Sequence, residues 1–123
     1  MRYIDTNVLV RMITGDDQEL AHKAIAEIER GGKNEFCIVD AVLVELCFIL
    51  EFHIYAMKRA DIASAIETFI ATPQIVLSDT TPRALKLYRE HPKLDYADCL
   101  LFVLGGKKGV LTFDKDLQKI LLA

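Results

Sequence analysis

Four carboxylates stand at positions where they can do chemistry: Asp5, Glu45, Asp98 and Asp114. Asp5 follows Tyr3-Ile4, an apolar pair that can open a strand, and in a parallel α/β sheet ligands gather outside the carboxyl ends of strands. Asp is also a favoured helix N-cap, so this residue alone leaves both roles open. Glu45 lies in the segment from Asp40 to Leu50, where its neighbours are apolar on every helical face. A buried unpaired carboxylate costs several kcal/mol, so Glu45 is expected to meet a cation, a donor network, water or a buried salt bridge. Asp95 and Asp98, at i and i+3, share a helix face, either as an N-cap with its N3 partner or as two acids whose repulsion a cation relieves. Asp114 and Asp116 follow a short β-branched run. Asp116 reads as the N-cap of a last helix, which leaves Asp114 as the functional acid or a turn residue. Hard oxygen donors of this kind suit Mg²⁺ or Mn²⁺ if they converge.

The elements that must position these acids alternate between strand and helix. Tyr3-Ile4 gives way to a helix from Thr6 to Ile13 that Gly15 ends, and a second helix runs from Gln18 to Arg30 with Leu20, Ile25 and Ile28 inward. A strand from Glu35 to Val39 precedes a helix from Asp40, read as its N-cap, to Phe52, apolar all round and expected to be buried on most sides. Ala60 to Ala71 is a helix, Gln74 to Leu77 a strand, and Pro82 to His91 a helix with proline near its first position. Asp95 to Leu104 is helical, Gly105-Gly106 breaks it, Gly109 to Thr112 is a fourth strand, and Asp116 to Leu122 a last helix. The pattern predicts an α/β fold with a mainly parallel sheet of about four strands covered on both faces.

At 123 residues the chain is long enough for one self-supporting domain. Its 52% hydrophobic share makes disorder an unfit reading, and the charge early in the N-terminus and the absence of a long apolar run argue against a signal peptide or a membrane span. Cys37, Cys47 and Cys99 lie in apolar runs without paired spacing, as reduced core residues of a cytoplasmic protein do, and no zinc site is expected. The net charge of -3 argues against binding of nucleic acid through bulk positive charge but suits an enzyme whose carboxylates hold cations.

Taken in order, Ile4 to Arg11, Glu45, Leu94 to Leu101 and Leu111 to Leu117 resemble the PIN domain, and within it the toxins of prokaryotic VapBC toxin-antitoxin pairs. The resemblance covers the whole chain as a single domain, 1–123. It implies a three-layer α/β/α fold and an endoribonuclease that cleaves RNA phosphodiester bonds with Mg²⁺ or Mn²⁺ through a metal-activated water. The family's metal-binding and catalytic acids fall on Asp5, Glu45, Asp98 and Asp114, with Thr6, Asn7, Asp95, Thr112 and Asp116 in support. It also implies a homodimer and a small antitoxin protein as partner. Arg11, Lys107, Lys108 and Lys115 are candidates for contact with RNA phosphates. Where the family has small residues after the third acid this chain has Cys99, Leu101 and Phe102, which alters the pocket floor. Two alternatives stand beside this reading: an RNA-processing PIN nuclease without an antitoxin, and a module that binds metal or peptide without turnover. An aspartyl-phosphate enzyme fits poorly, because Asn7 stands where its second aspartate belongs.

Overall fold

The computed structural model describes residues 1–53 and 55–122. The chain divides into two compact units, Met1–Ser78 and Asp79–Ala123. The first holds a parallel sheet of three short strands, β1 (Arg2–Tyr3), β2 (Phe36–Cys37) and β3 (Ile75–Val76), in the order β1-β2-β3. Around them run the helices α1 (Thr6–Thr14), α2 (Gln18–Glu29), α3 (Asp40–Phe52) and α4 (Arg59–Ile70). The strand-helix alternation read from the sequence holds here. Parallel neighbours require long crossovers, and helices supply them.

The first two helices of this unit begin or end for a local reason. Asp5 caps α1, and Gly15 closes it in the left-handed region at φ 65° while its N–H reaches the Arg11 carbonyl, a conformation that costs glycine nothing. Asp17 caps α2 by accepting from the Leu20 N–H at 3.1 Å. In α2 the buried residues are Ala21 and Ile28, whereas Leu20 is 47% exposed and Ile25 is also exposed. The expectation that both point inward is corrected: the inward stripe is narrower than helical spacing suggested. Val39, not Asp40, occupies the N-cap position of α3, and Asp40 is the first residue within the helix. α3 buries Leu43, Leu46, Cys47 and Leu50 on one face, and on the opposite face Ala41, Glu45, Phe48 and Phe52 are exposed, the two phenylalanines by 55% and 60%. The helix is therefore half-covered in this chain rather than buried on most sides.

The loops after α1 and α3 are tied together at Asp16, which accepts from the Tyr55 hydroxyl at 2.5 Å and from the Arg11 guanidinium at 2.6 Å. The tyrosine hydrogen bond first, and then the arginine, lower the Asp16 pKa to about 2. A depressed carboxylate pKa means stability that is present above the unfolded value, about pH 4, and is lost as pH falls through about 2. In an NMR titration Asp16 is expected to ionise near pH 2 in the wild type and at clearly higher pH in Tyr55→Phe; identical midpoints would rule the tyrosine out as the main cause.

The second unit, from its described residues, is helical: α5 (Thr81–Glu90), α6 (Tyr96–Gly105) and α7 (Lys115–Leu122). Tyr88 and Tyr96, both almost fully buried, meet edge to face with ring centroids 5.9 Å apart. The fourth strand expected at Gly109 to Thr112 does not form; Val110 to Asp114 have no regular structure, and Leu111 is 92% exposed. A strand needs a hydrogen-bonded neighbour, and the described residues of this unit offer none. Among the described residues no helix is long and apolar enough to cross a membrane. None of the three cysteines is in a disulfide; Cys47 and Cys99 are buried and Cys37 is half-buried.

Candidate active site

Asp5 sits just beyond β1, at the carboxyl end of the strand, and is exposed. Its Oδ1 accepts from the Thr6 N–H at 2.8 Å, so the cap uses one oxygen and leaves the other for a ligand. The two roles that the sequence left open are thus compatible. Thr6 is buried, and Asn7, exposed, shares with Asp5 a cleft of about 680 Å³ that Arg11 and Val8 also line. Arg11 spends its charge on Asp16 at 2.6 Å.

Glu45 is exposed. The inference that it is buried is corrected: its apolar neighbours along the sequence turn to the other side of α3, and the glutamate stands on the open face between Ala41 and Phe48. No compensating partner is therefore demanded by burial. Asp40 is the acid that sequence reasoning spent on a cap. It lies just past the carboxyl end of β2, and its Oδ1 is buried without a hydrogen-bond partner. Its place after a strand, like that of Asp5, was the available signal.

In the second unit Asp95 and Asp98 form a reciprocal cap: Asp95 Oδ1 accepts from the Asp98 N–H at 2.8 Å, and Asp98 Oδ2 accepts from the Asp95 N–H at 3.2 Å. Burial, then the Asp95 charge and then the Asp114 charge push the Asp98 carboxyl above the ordinary aspartate range, against the lowering effect of the backbone hydrogen bond. Asp98 and Asp114 are thus within electrostatic reach of each other. Asp114, not Asp116, caps α7, with Oδ1 accepting from the Leu117 N–H at 2.9 Å. The sequence assignment of that cap to Asp116 is corrected. The Thr112 hydroxyl accepts from the Asp114 N–H at 3.0 Å and so fixes the turn that presents Asp114. Lys108 and Lys115 are exposed, as is Lys107.

Among the described residues no three His, Cys, Asp or Glu side chains gather closely enough to hold a metal ion. Within the second unit the donors offered by Asp95, Asp98 and Asp114 are nonetheless all hard oxygen, and burial and then the Asp95 and Asp114 charges raise the Asp98 pKa. By donor chemistry, these carboxylates suit a divalent cation.

Comparison with curated proteins and with solved structures returns no match. Residues 2–121 match the family model of the PIN domain, nearly the whole length of the chain and both of its compact units. The chain belongs to the PIN-domain family, whose members are generally metal-dependent nucleases.

Proposed function

We propose that the protein is an endoribonuclease that hydrolyses RNA phosphodiester bonds, with Asp5, Glu45, Asp98 and Asp114 as its catalytic, metal-holding acids and Mg²⁺ or Mn²⁺ as the ion. The observation that carries this reading is the acid cluster of the second unit: Asp95 and Asp98 are locked in a reciprocal cap, and burial, the Asp95 charge and the Asp114 charge raise the Asp98 pKa, a repulsion that a bound cation would relieve. When bound, the ion supplies a Lewis acid that makes water a nucleophile at neutral pH and offsets charge developing on the phosphate. Asp95 holds Asp98 by their mutual cap, Thr112 fixes Asp114, and Thr6 orients Asp5 through its N–H. Asn7, beside Asp5 in the same cleft, can donate to a phosphate oxygen, and Asp116 stays in support of Asp114.

The finer reading is a cytoplasmic VapC-type toxin that forms a homodimer and is restrained by a small antitoxin. Two apolar surfaces support protein partners. One is the bare α3 face with Phe48 and Phe52; the other is a groove of about 370 Å³ lined by Met12, Ile13, Ile25 and Phe69. Exposed apolar surface of this kind suits obligate contacts more than a solitary chain.

Incubation of the purified protein with single-stranded RNA tests the activity. Internal cleavage is expected with Mn²⁺, none in excess EDTA, and recovery when Mn²⁺ is restored above the chelator. Cutting that persists in EDTA would overturn the metal-dependent reading. Co-expression with the small protein encoded beside it tests the toxin assignment, with growth rescue and co-purification as the expected result.

A further inference from the structure

A second cavity, of about 240 Å³, opens in the Asp79–Ala123 unit between the turn that follows α5 and the helix α7. His91, Lys93, Leu94, Asp116, Lys119 and Ile120 line it. Its frame is fixed: the Leu94 N–H donates to the His91 carbonyl at 3.0 Å, Pro92 stiffens the turn, and Leu94 is 1% exposed. On the other wall, Leu117 and Leu121 are buried and anchor α7. Lys93 and Lys119 are thus carried to the rim on backbone that does not have to order itself when a ligand arrives.

Their charges are uncommitted. Arg2, Arg11, Arg59 and Lys86 all pair with carboxylates, whereas among the described residues neither Lys93 nor Lys119 has an ion-pair partner. The wider field favours an anion too. The second unit holds eight of the 15 Lys and Arg and six of the 18 Asp and Glu, a balance of +2, while the first unit stands at -5. A negative chain that concentrates its positive charge in one unit, with two unpaired lysines over a cavity there, is built to receive anions at that place.

We infer that this cavity is a subsite for a phosphodiester of the RNA strand, next along from the bond that is cut. Two lysines and the Asp116 carboxylate leave one net positive charge at the rim, which matches the single charge of a diester and not the nearly double charge of a terminal phosphate. The volume is below the roughly 300 Å³ at which small-molecule pockets begin, so it suits a backbone phosphate and not a base with its sugar. Along the chain the lining borders the two proposed catalytic acids of its own unit, since Leu94 stands four residues before Asp98 and Asp116 two residues after Asp114. The inference rests on the ribonuclease reading only for the identity of the ligand as substrate.

The test is the salt dependence of RNA binding, measured in EDTA so that no cleavage intervenes. Wild type, Lys93→Gln/Lys119→Gln and the control Lys33→Gln are titrated with a single-stranded RNA oligonucleotide, once with and once without a 5′-phosphate. Losing one neutralised phosphate on a single strand lowers the slope of log K against log salt by about 0.7. That decrease is expected for the double variant with either oligonucleotide, and no change for Lys33→Gln. An unchanged slope in the double variant, a decrease only with the 5′-phosphorylated strand, or no RNA binding by wild type would each overturn the subsite. If the double variant melts below wild type, Lys119→Gln is read in its place, with the same slope criterion. Wild type that shows the lysine-dependent slope yet cuts no RNA with Mn²⁺ upholds the phosphate subsite and sinks the catalytic reading instead.

Discussion

Asp98→Asn is expected to abolish RNA cleavage while raising the melting temperature of the metal-free protein. Asparagine keeps an oxygen able to accept from the Asp95 N–H, so the reciprocal cap survives and only the charge is removed. In the wild type that charge is disfavoured by burial and by Asp95 and Asp114. A carboxyl whose folded pKa is raised above its unfolded value penalises the fold at neutral pH, and the penalty fades as pH falls through the folded pKa. The variant escapes it. A like-charge pair at this spacing is worth about 0.2–0.5 kcal/mol, or about 1–2 °C in a domain of this size, and the gap between variant and wild type is expected to close in acid. With metal the order reverses. An ion that binds only the folded state adds about 2.7 kcal/mol at a hundredfold excess over Kd, and the variant, short of a charged oxygen, gains less. The loss of rate is expected to be about a hundredfold or more, as for removal of one electrostatic stabiliser. Melting curves in EDTA and in Mn²⁺ beside cleavage rates decide the point. A variant that melts well below wild type in EDTA shows Asp98 to be a structural cap, and one that cuts at the wild-type rate is no ligand.

Neighbouring residues on α3 are expected to fail in opposite ways. Leu46 is fully buried, and Leu46→Ala removes its contacts and leaves a cavity, at a cost of about 2–5 kcal/mol. Against a total stability of about 5–15 kcal/mol this is a large share, and a fall in melting temperature on the order of 10 °C follows. Glu45→Gln, one residue away on the open face, is expected to change stability by no more than about 0.5 kcal/mol and to lose activity about a hundredfold. A several-degree loss in Glu45→Gln would mean that the glutamate is held inside, as its sequence neighbours suggested, and would cost the functional reading its support at that position.

What the sequence made legible was local. The start of α6 was readable because Asp95 and Asp98 satisfy each other's N–H groups within four residues, and the end of α1 because a glycine at position 15 takes a left-handed φ without strain. Illegible were the features that depend on what lies across space. Glu45 looked buried because a helix apolar all round does not say which side is covered, and the same ambiguity placed Leu20 and Ile25 inside. The residues from Gly109 to Thr112 carry strand-like side chains, yet pairing is a property of two segments, and one of them cannot be read from the other. Asp114 and Asp116 were interchanged because either can cap; the turn set by Thr112 decides for Asp114. Of the site, the four acids were chosen by type and position in the chain, while the electrostatic coupling of Asp98 to Asp114 required coordinates.

The buried thiols fall one in each compact unit, Cys47 in Met1–Ser78 and Cys99 in Asp79–Ala123. A sealed thiol reacts with an alkylating reagent only when the structure around it opens, so each cysteine clocks the excursions of its own unit. Equal labelling rates at the two sites mean that the chain opens as one cooperative body; unequal rates identify the unit that breathes first. Cys37, half-exposed, supplies the fast reference within the same molecule.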